Sequence, residues 1–283
     1  ESLRKNALTV CGKLLLQCNA KMGATLWRVP PVQGFPAKSM IVGIDVCHKV
    51  IKGRGYDFLG FCASFDPNYC RHTSYAVKVP KNQEITDCVA TCMKKALDNF
   101  FKQAKFYPTN IFVYRDGVSD AQRAVVIEKE VTGVDNVLTN EEPYASAQIK
   151  MTYIVVNKRI NTKFFDFAGI NSKTRGNPPP GTVVDTGVAS SRHWDFYLVP
   201  QAVTQGTATP GHFHVVFDNS GVDEGVLQAQ TFRFCFQYFN WTGPIRVPAA
   251  CQYAHKLAFI HSECDLNDLQ EKNKLKLLPY QLQ

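Results

Sequence analysis

Met40-Ile-Val-Gly-Ile-Asp-Val-Cys-His48 is the stretch of sequence that decides the fold of this chain. Its apolar residues form a run of strand length, which is typical of a strand covered on both faces. Asp45 places one carboxylate inside that run. Because an isolated charge is costly to bury, this carboxylate needs a metal ion, another cation or solvent at the end of the strand.

A second stretch repeats the pattern. Ile111-Phe-Val-Tyr-Arg-Asp-Gly117 is an apolar run that ends in Asp116. Taken alone, Asp45 or Asp116 could be a turn or helix-cap residue. Two carboxylates at the ends of two strands together indicate a divalent-metal site.

Length and composition describe an ordinary globular chain. Its 283 residues allow one large domain or two with a substantial core. With 45% hydrophobic and 20% charged residues, the chain is not of the disordered class. The net charge of +8 fits a polyanionic partner, although an excess of this size is a weak indication by itself.

The chain lacks membrane and export signals. No run approaches the roughly 18 apolar residues of a membrane helix, so no membrane partner is expected. There is no signal peptide, and the sequence opens at Glu1 without Met, so we expect a fragment or a processed form.

The ten cysteines include no Cys-x-x-Cys pair, which argues against a zinc ribbon or a thioredoxin-type site. Most lie in apolar stretches, where free cysteine behaves as a small hydrophobe, so a reducing compartment is expected. Cys88 and Cys92 lie one helical turn apart and could form half of a metal site, but no matching His or Cys pair is evident.

Strand and helix patterns follow one another along the chain. A helix is predicted over residues 3–22, ended by Gly23, and a connector over 27–38. Further strands are predicted at 58–65, 75–79, 111–116, 148–156, 182–184, 195–199 and 212–217, and helices at 84–105, after Ser119, at 223–239 and at 248–261. This order predicts an α/β fold with a mixed sheet flanked by helices on both faces.

Carboxylates on two strands, together with acidic or His side chains on neighbouring helices, are the arrangement expected for an RNase H-like nuclease. Two divalent ions roughly 3.5–4 Å apart can activate a water and stabilise the leaving oxygen in phosphodiester cleavage. That chemistry favours hard oxygen ligands, which suit Mg²⁺ or Mn²⁺.

Several motifs, in order, resemble the PIWI domain of Argonaute-superfamily proteins. They are Ile44-Asp-Val-Cys-His48, Tyr114-Arg-Asp-Gly-Val-Ser119, Gln205-Gly-Thr-Ala-Thr-Pro210 with His212-Phe-His214, and Cys251-Gln-Tyr-Ala-His-Lys-Leu-Ala258. Together with Asn240-Trp241 and Ile245-Arg-Val-Pro248, the last motif resembles the PIWI clade more than the microRNA and siRNA Argonautes. The resemblance covers about residues 12–261.

The resemblance implies a domain organisation. Residues 1–38 are expected to be the C-terminal part of a MID domain and a connector. Residues 39–261 are expected to be an RNase H-like PIWI domain, and residues 262–283 a divergent C-terminal tail. Full-length family members also have N-terminal, PAZ and MID regions, which the chain is expected to lack except for the end of the MID domain.

The resemblance also implies an activity, namely small-RNA-guided, divalent-metal-dependent cleavage of complementary RNA in PIWI-type gene and transposon silencing. Active members use an Asp-Glu-Asp-His set, which matches Asp45, Glu84 within Asn82-Gln-Glu-Ile-Thr86, Asp116 and His255. Asp45, Asp116 and His255 are the implied metal ligands. The alternatives are that Glu84 is only a first-turn acid favoured by the helix dipole, and that His255 is a core residue of an apolar helix.

Guide-RNA contacts are implied at two places. Gln17 and Lys21 match the helix positions that meet the 5′ phosphate of the guide, a phosphate that in the PIWI clade a Mg²⁺ and the terminal carboxylate help to neutralise. The tail departs from the family pattern, so a role of Gln283 in that pocket stays open. His212 and His214 share a strand face, which could suggest metal, but the resemblance implies backbone-level or guide contacts at most. Candidates for contact with the RNA backbone, each of which could instead be a solvated charge, are Lys158, Arg159, Lys163, Arg192 and Arg246.

Two other functions remain open on the sequence alone. One is a guide-RNA-binding silencing module without cleavage activity, and the other is a different RNase H-like enzyme such as a resolvase or transposase nuclease. The implied partners are a 5′-phosphorylated guide RNA and a complementary target RNA. The expected location is the cytoplasm, including ribonucleoprotein granules, or the nucleus.

Overall fold

The structure is a computed structural model. Glu84, Ser119, Arg192 and Gln283 are among the positions outside the residues that it describes. The described residues are 2–81, 85–118, 124, 126–167, 176–189, 194–203 and 205–264.

An eight-stranded mixed sheet forms the centre of the molecule. Its strands, in chain order, are β1 Ser39–Ile51, β2 Arg54–Ser64, β3 His72–Pro80, β4 Asn110–Asp116, β5 Lys150–Asn157, β6 Thr182–Val184, β7 Asp195–Val199 and β8 Gly211–Asp218. They lie side by side in the order β3-β2-β1-β4-β5-β8-β7-β6. The β1–β4 and β4–β5 pairs are parallel, and the other pairs are antiparallel.

Helices cover both faces of this sheet, as the sequence predicts. The described helices are α1 Ser2–Lys21, α2 Ile85–Ala104, α3 Thr132–Asn140, α4 Glu224–Phe234 and α5 Ala249–Glu263, with a π-helical segment at Val126–Val131 and a 3₁₀ turn at Ala145–Ala147. Apolar residues of α2 and α3 pack in one core cluster with Met40, Val42 and Ile44 of β1. Residues of α4 and α5 pack in a second cluster with Ile41. Because successive residues in the first half of β1 point to opposite covered faces, residues 40–44 are apolar or glycine.

Two glycines let α5 lie directly on the sheet. A Cβ added at Gly43 would lie 2.1 Å from the backbone carbon of Ala250, and one added at Gly60 would lie 2.1 Å from the carbonyl oxygen of Ala254. Gly60 pairs with Asp45 across β1 and β2. The helix that carries His255 is therefore held in backbone contact with the strand pair that carries Asp45.

The first hairpin is longer than predicted. Its strands continue until Ile51 pairs with Arg54, and the turn between them consists of Lys52 and Gly53. Both turn residues have positive φ, 49° and 76°, which matches the tight two-residue turns that suit twisted antiparallel strands.

The prediction of a helix over 223–239 is wrong at its C-terminal end, because α4 stops at Phe234. Beyond it the amides of Cys235, Phe236 and Gln237 donate to carbonyls three residues back, which tightens the chain into turns. The reason lies in burial, since Phe234 packs in the second core cluster whereas Phe239 packs in another cluster with Ala20.

Helix α1 is confirmed, but its apolar side is exposed in the described part of the chain. Leu8, Leu14 and Leu15 are 80%, 54% and 65% exposed. The helix is held at its C-terminal end, where Ala20 is buried against Cys70 and Phe239. None of the described helices is long and apolar enough to cross a membrane.

Candidate active site

Asp45 and Asp116 lie next to each other at the same end of the sheet. The parallel register of β1 and β4 pairs Ile44 with Arg115, so the two carboxylates occupy the next position on each strand. Both are buried, with 5% and 2% of their surface exposed. Gly117 follows with φ of 79°, and a Cβ there would lie 2.8 Å from Asp45 Oδ1. A side chain at this position would therefore crowd the carboxylate.

Helix α5 brings His255 to the same place. Its Nδ1 lies 2.6 Å from Asp45 Oδ2. The His255 side chain is 47% exposed, so the imidazole forms the solvent side of the site while the carboxylates form its floor. The structure thus brings together Asp45, Asp116 and His255, which are distant in the sequence; the position of Glu84 is not described.

The two buried carboxylates need positive charge nearby to remain ionised. Burial raises the pKa of Asp116, the Lys158 ammonium lowers that pKa in part, and the Asp45 carboxylate raises it again. Lys158 forms an ion pair with Asp116 Oδ2, and the Gly117 amide donates to Asp116 Oδ1 at 2.8 Å. Lys158, which the sequence suggests for RNA contact, is here the cation that pairs with the Asp116 carboxylate.

The donor set fits a divalent metal ion. Two neighbouring carboxylates offer hard oxygen ligands, and the chain already places a cation on one of them. Asp45, Asp116 and His255 would hold the ion, as the resemblance implies. The oxygen-rich set suits a hard divalent ion rather than a soft metal.

Of the other cations suggested by the sequence, Arg246 contacts the backbone of Lys158. Arg246 donates to the carbonyl oxygen of Lys158 at 3.3 Å. Lys163 contacts the Thr209 hydroxyl, and Arg159 is exposed. Gln17 is half-buried and Lys21 exposed on α1.

Sequence reasoning missed a buried ion pair behind Asp116. The Arg115 guanidinium contacts Glu130 through two nitrogen atoms, at 3.0 and 3.1 Å, and donates to the carbonyl oxygen of Asp116 at 2.5 Å. Tyr153 donates its hydroxyl to Glu130 at 2.8 Å. Burial lowers the pKa of Arg115, but the Glu130 carboxylate, together with Tyr153 and Asp45, raises the pKa above its ordinary value. This network fixes the backbone that presents Asp116.

A signal for this network was present in the sequence, since an arginine inside an apolar strand needs a buried acid as partner. The identity of that acid was not readable, because Glu130 lies in a π-helical segment that has no local signature.

The chain is similar to known proteins of one family. Residues 1–264 match the Piwi domain family. Piwi-like protein 1 of Gallus gallus is 43% identical over 258 residues, which is 90% of this chain and 28% of that protein. Protein argonaute-3 of Drosophila melanogaster is 38% identical over 270 residues, 95% of this chain and 29% of that protein. The chain therefore spans less than a third of the length of these relatives.

Solved structures agree as well. The crystal structure of Drosophila Piwi superposes with a TM-score of 0.74 at 33% identity, covering 89% of this chain and 33% of that one. The C-terminal lobe of a budding yeast Argonaute gives a TM-score of 0.78 at 23% identity, over 99% of this chain and 59% of that one, and this similarity concerns the fold alone.

The predicted mixed sheet of RNase H-like type is thus confirmed, and the relatives carry the Piwi names that the motifs predict. A match of this length, together with the paired aspartates on the neighbouring strands β1 and β4, identifies the chain as a member of the Piwi domain family.

Proposed function

We propose that this chain is the catalytic part of a small-RNA-guided endonuclease that cleaves complementary RNA in PIWI-type gene and transposon silencing. The observation that carries the proposal is the buried pair Asp45 and Asp116 with His255 over it. A fold shared with nucleases does not by itself require this pair, whereas metal-dependent phosphodiester cleavage does.

Mg²⁺ or Mn²⁺ bound here would supply an activated water and stabilise the leaving oxygen. The residues of the chain prepare the site for it. Asp116 is oriented by the Gly117 amide and by Arg115 beneath it, and Asp45 by the His255 ring. Glu84 is proposed as the fourth member, and the open side beside His255 is where the scissile phosphate would enter.

Sequence specificity would come from a guide RNA rather than from protein contacts to bases, because base pairing reads the target and the protein holds the backbones. Gln17 and Lys21 are proposed to hold the guide 5′ phosphate, and Arg159, Lys163 and Arg246 to follow the RNA backbone. The net charge of +8 supports this. A Kluyveromyces polysporus Argonaute solved with a guide RNA shares the fold, with a TM-score of 0.78 at 23% identity over 95% of this chain and 35% of that one.

The rest of the machinery is part of the same proposal. The full protein would add N-terminal, PAZ and MID regions, and residues 1–38 would be the end of the MID domain. It would act in the cytoplasm, including ribonucleoprotein granules, or in the nucleus, where complementary transcripts are found.

The experiment compares the full protein with its Asp45→Asn and Asp116→Asn variants, each loaded with a 5′-phosphorylated guide. Cleavage of a fully matched target in Mg²⁺ should fall to background in both variants, while the amount of guide retained stays the same. Asp57→Asn is a matched control, because Asp57 also pairs with a histidine, His48, at 2.5 Å, away from Asp116.

Normal cleavage by either active-site variant would overturn the proposal. If the unmodified protein retained guide but did not cleave the target, the alternative of a guide-RNA-binding silencing module without cleavage activity would be favoured. Failure to retain any guide would favour a guide-independent RNase H-like enzyme.

A further inference from the structure

A second group of ligand-type side chains lies on strands β7 and β8. The ligand atoms of Asp195, His212 and His214 all lie within 4.8 Å of one another. His212 Nε2 is 2.5 Å from Asp195 Oδ2, and His214 Nδ1 is 4.0 Å from the same oxygen. The centroids of the two imidazole rings are 3.8 Å apart.

Sheet register separates this group from the candidate active site. His214 pairs with Asp195 on one side and with Val155 on the other, and Val155 pairs with Arg115. Asp116 is the next residue after Arg115, so its side chain points to the opposite face of the sheet. Asp116 pairs with Val156, which pairs with Phe213, and the side chains of these three residues share that face. The two groups therefore lie on opposite faces of the sheet and cannot share one ion.

The chemistry of the group is that of a transition-metal site. Two imidazoles and one carboxylate are a common ligand set for Zn²⁺, and a three-ligand site leaves the fourth position open. The two histidines are separated by one residue on a strand, which places both rings on one face. The side chains of Asp195, His214 and His212 are 2%, 8% and 13% exposed, so the group is sheltered and reaches solvent mainly through His212.

The spacing allows coordination after a small adjustment. Bonds of about 2.0–2.2 Å from a tetrahedral ion place ligand atoms roughly 3.3 Å apart, and the distances from Asp195 Oδ2 to the two rings are 2.5 and 4.0 Å. Tyr197 stacks on the His212 ring with centroids 3.9 Å apart and planes inclined by 9°, which holds that ring in orientation.

We propose that Asp195, His212 and His214 bind one Zn²⁺ ion, independently of the nuclease site. The ion takes the place of the hydrogen between His212 Nε2 and Asp195, the neutral His212 ring keeps its one hydrogen on Nδ1, and a second proton carried by the pair is released to solvent. The ion links β7 to β8 next to β6, the short edge strand of three residues, and a water molecule completes its coordination.

The test uses the purified protein with Asp45→Asn and Asp116→Asn already introduced, so that the nuclease site does not contribute. After dialysis against a chelator, Zn²⁺ is titrated against a chromophoric competitor. We expect one tightly bound equivalent and a higher melting temperature with Zn²⁺. Adding His214→Ala or Asp195→Asn should weaken Zn²⁺ binding at least tenfold.

His48→Ala is the matched control, because it removes a histidine that also pairs with a carboxylate at 2.5 Å, that of Asp57. It should leave Zn²⁺ binding unchanged. The proposal would be overturned if the parent protein bound no stoichiometric Zn²⁺. It would also be overturned if the His214 and Asp195 variants bound Zn²⁺ as tightly as the parent protein.

A second measurement needs no variant in this group. The zinc X-ray absorption spectrum of the loaded protein should show two imidazole ligands and a carboxylate. A shell made only of water and carboxylate oxygens would contradict the assignment, even if the variants failed to fold.

Discussion

Asp116 and Asp45 are two buried like charges, and Lys158 is the cation that the chain itself brings to them. A buried carboxylate without a partner would be neutralised by protonation, as the raised pKa of Asp116 indicates. The Lys158 ammonium reduces that tendency. It follows that a metal ion entering this site competes with the side chain of Lys158.

Lys158→Gln should therefore increase the affinity of the free protein for Mn²⁺ severalfold, because the carboxylate pair loses its internal cation. The free Mn²⁺ remaining during a titration, followed by electron paramagnetic resonance, measures this. Lys163→Gln is the control, since Lys163 contacts the Thr209 hydroxyl instead. Unchanged or weaker Mn²⁺ binding by the Lys158 variant would show that the ammonium does not compete.

His72 makes stability depend on pH. It is buried on β3 beside Tyr253, with ring centroids 5.3 Å apart, and burial lowers the pKa of His72 to about 4. In the unfolded chain its pKa is about 6.5. Between these values the unfolded chain binds the extra proton, so the folded state loses stability as pH falls from about 6.5 to 4.

The free energy of unfolding, measured with urea, should be lower at pH 4.5 than at pH 7.5. His72→Phe should reduce the difference between these two free energies by roughly 2 to 3 kcal/mol. Thr73→Val, at the next position of β3, changes no ionisable group and should keep the full difference. If the His72 variant kept the wild-type pH dependence, the pKa of His72 would not be lowered in the folded protein.

Single residues also show how far the sequence could lead. Asp45 and Asp116 were predictable, because each sits in a local apolar run. His255 is 210 residues away from Asp45 and was found only through its motif. Lys158 was assigned to RNA because nothing in the sequence indicates its contact with Asp116. The identity of a partner brought close by the fold leaves no local trace in the sequence.

Among the elements, α5 has the closest contact with the sheet. Gly60 faces the carbonyl oxygen of Ala254, the residue before His255, and it pairs with Asp45. Gly60, together with Gly43, thus sets the distance between α5 and the strand pair at the candidate site.

Gly60→Ala should push α5 away, because its Cβ would lie 2.1 Å from a backbone atom that cannot rotate aside. We expect a loss of about 1–3 kcal/mol in stability. If the proposed function holds, cleavage should also fall at least tenfold, since a displacement of about 1 Å can have that effect. Chemical denaturation and single-turnover cleavage measure the two effects.

Gly12→Ala is the control for this prediction, because among the described residues no atom lies within 4 Å of a Cβ at that position. It should retain both stability and cleavage. Wild-type stability of the Gly60 variant would mean that the helix can shift without loss.

The elements themselves were predicted best where their apolar patterns are strong. β1, β4 and α2 were placed within a few residues. The C-terminal limit of α4 was wrong, because turns that place Phe234 and Phe239 in different clusters depend on tertiary burial. The π-helical segment at Val126–Val131 was not predicted, because its sequence resembles an ordinary helix.

At the scale of the whole molecule, α1 presents apolar side chains to solvent. Leu8, Leu14 and Leu15 are more than half exposed. Patches of this kind promote association or mark an interaction surface. The chain spans less than a third of its relatives, so other parts of such proteins are available to cover this side.

The chain studied alone should therefore self-associate, and a Leu14→Glu, Leu15→Lys double variant should raise the dissociation constant at least tenfold. Sedimentation equilibrium over a range of concentrations measures this. Val50→Glu, at a position 70% exposed on β1, is the control and should not change the association. A monomeric wild-type chain at high concentration would contradict the prediction.

The position of α5 has a consequence for synthesis on the ribosome. Strands β1 to β3, on which α5 packs, leave the ribosome long before it, and so do Asp45 and Asp116. A nascent chain thus carries both carboxylates while the sheet surface at Gly43 and Gly60 is still uncovered. His255 arrives with the last described helix. The order of synthesis therefore delays the proposed nuclease site, which is completed only when nearly all of the described chain has been made.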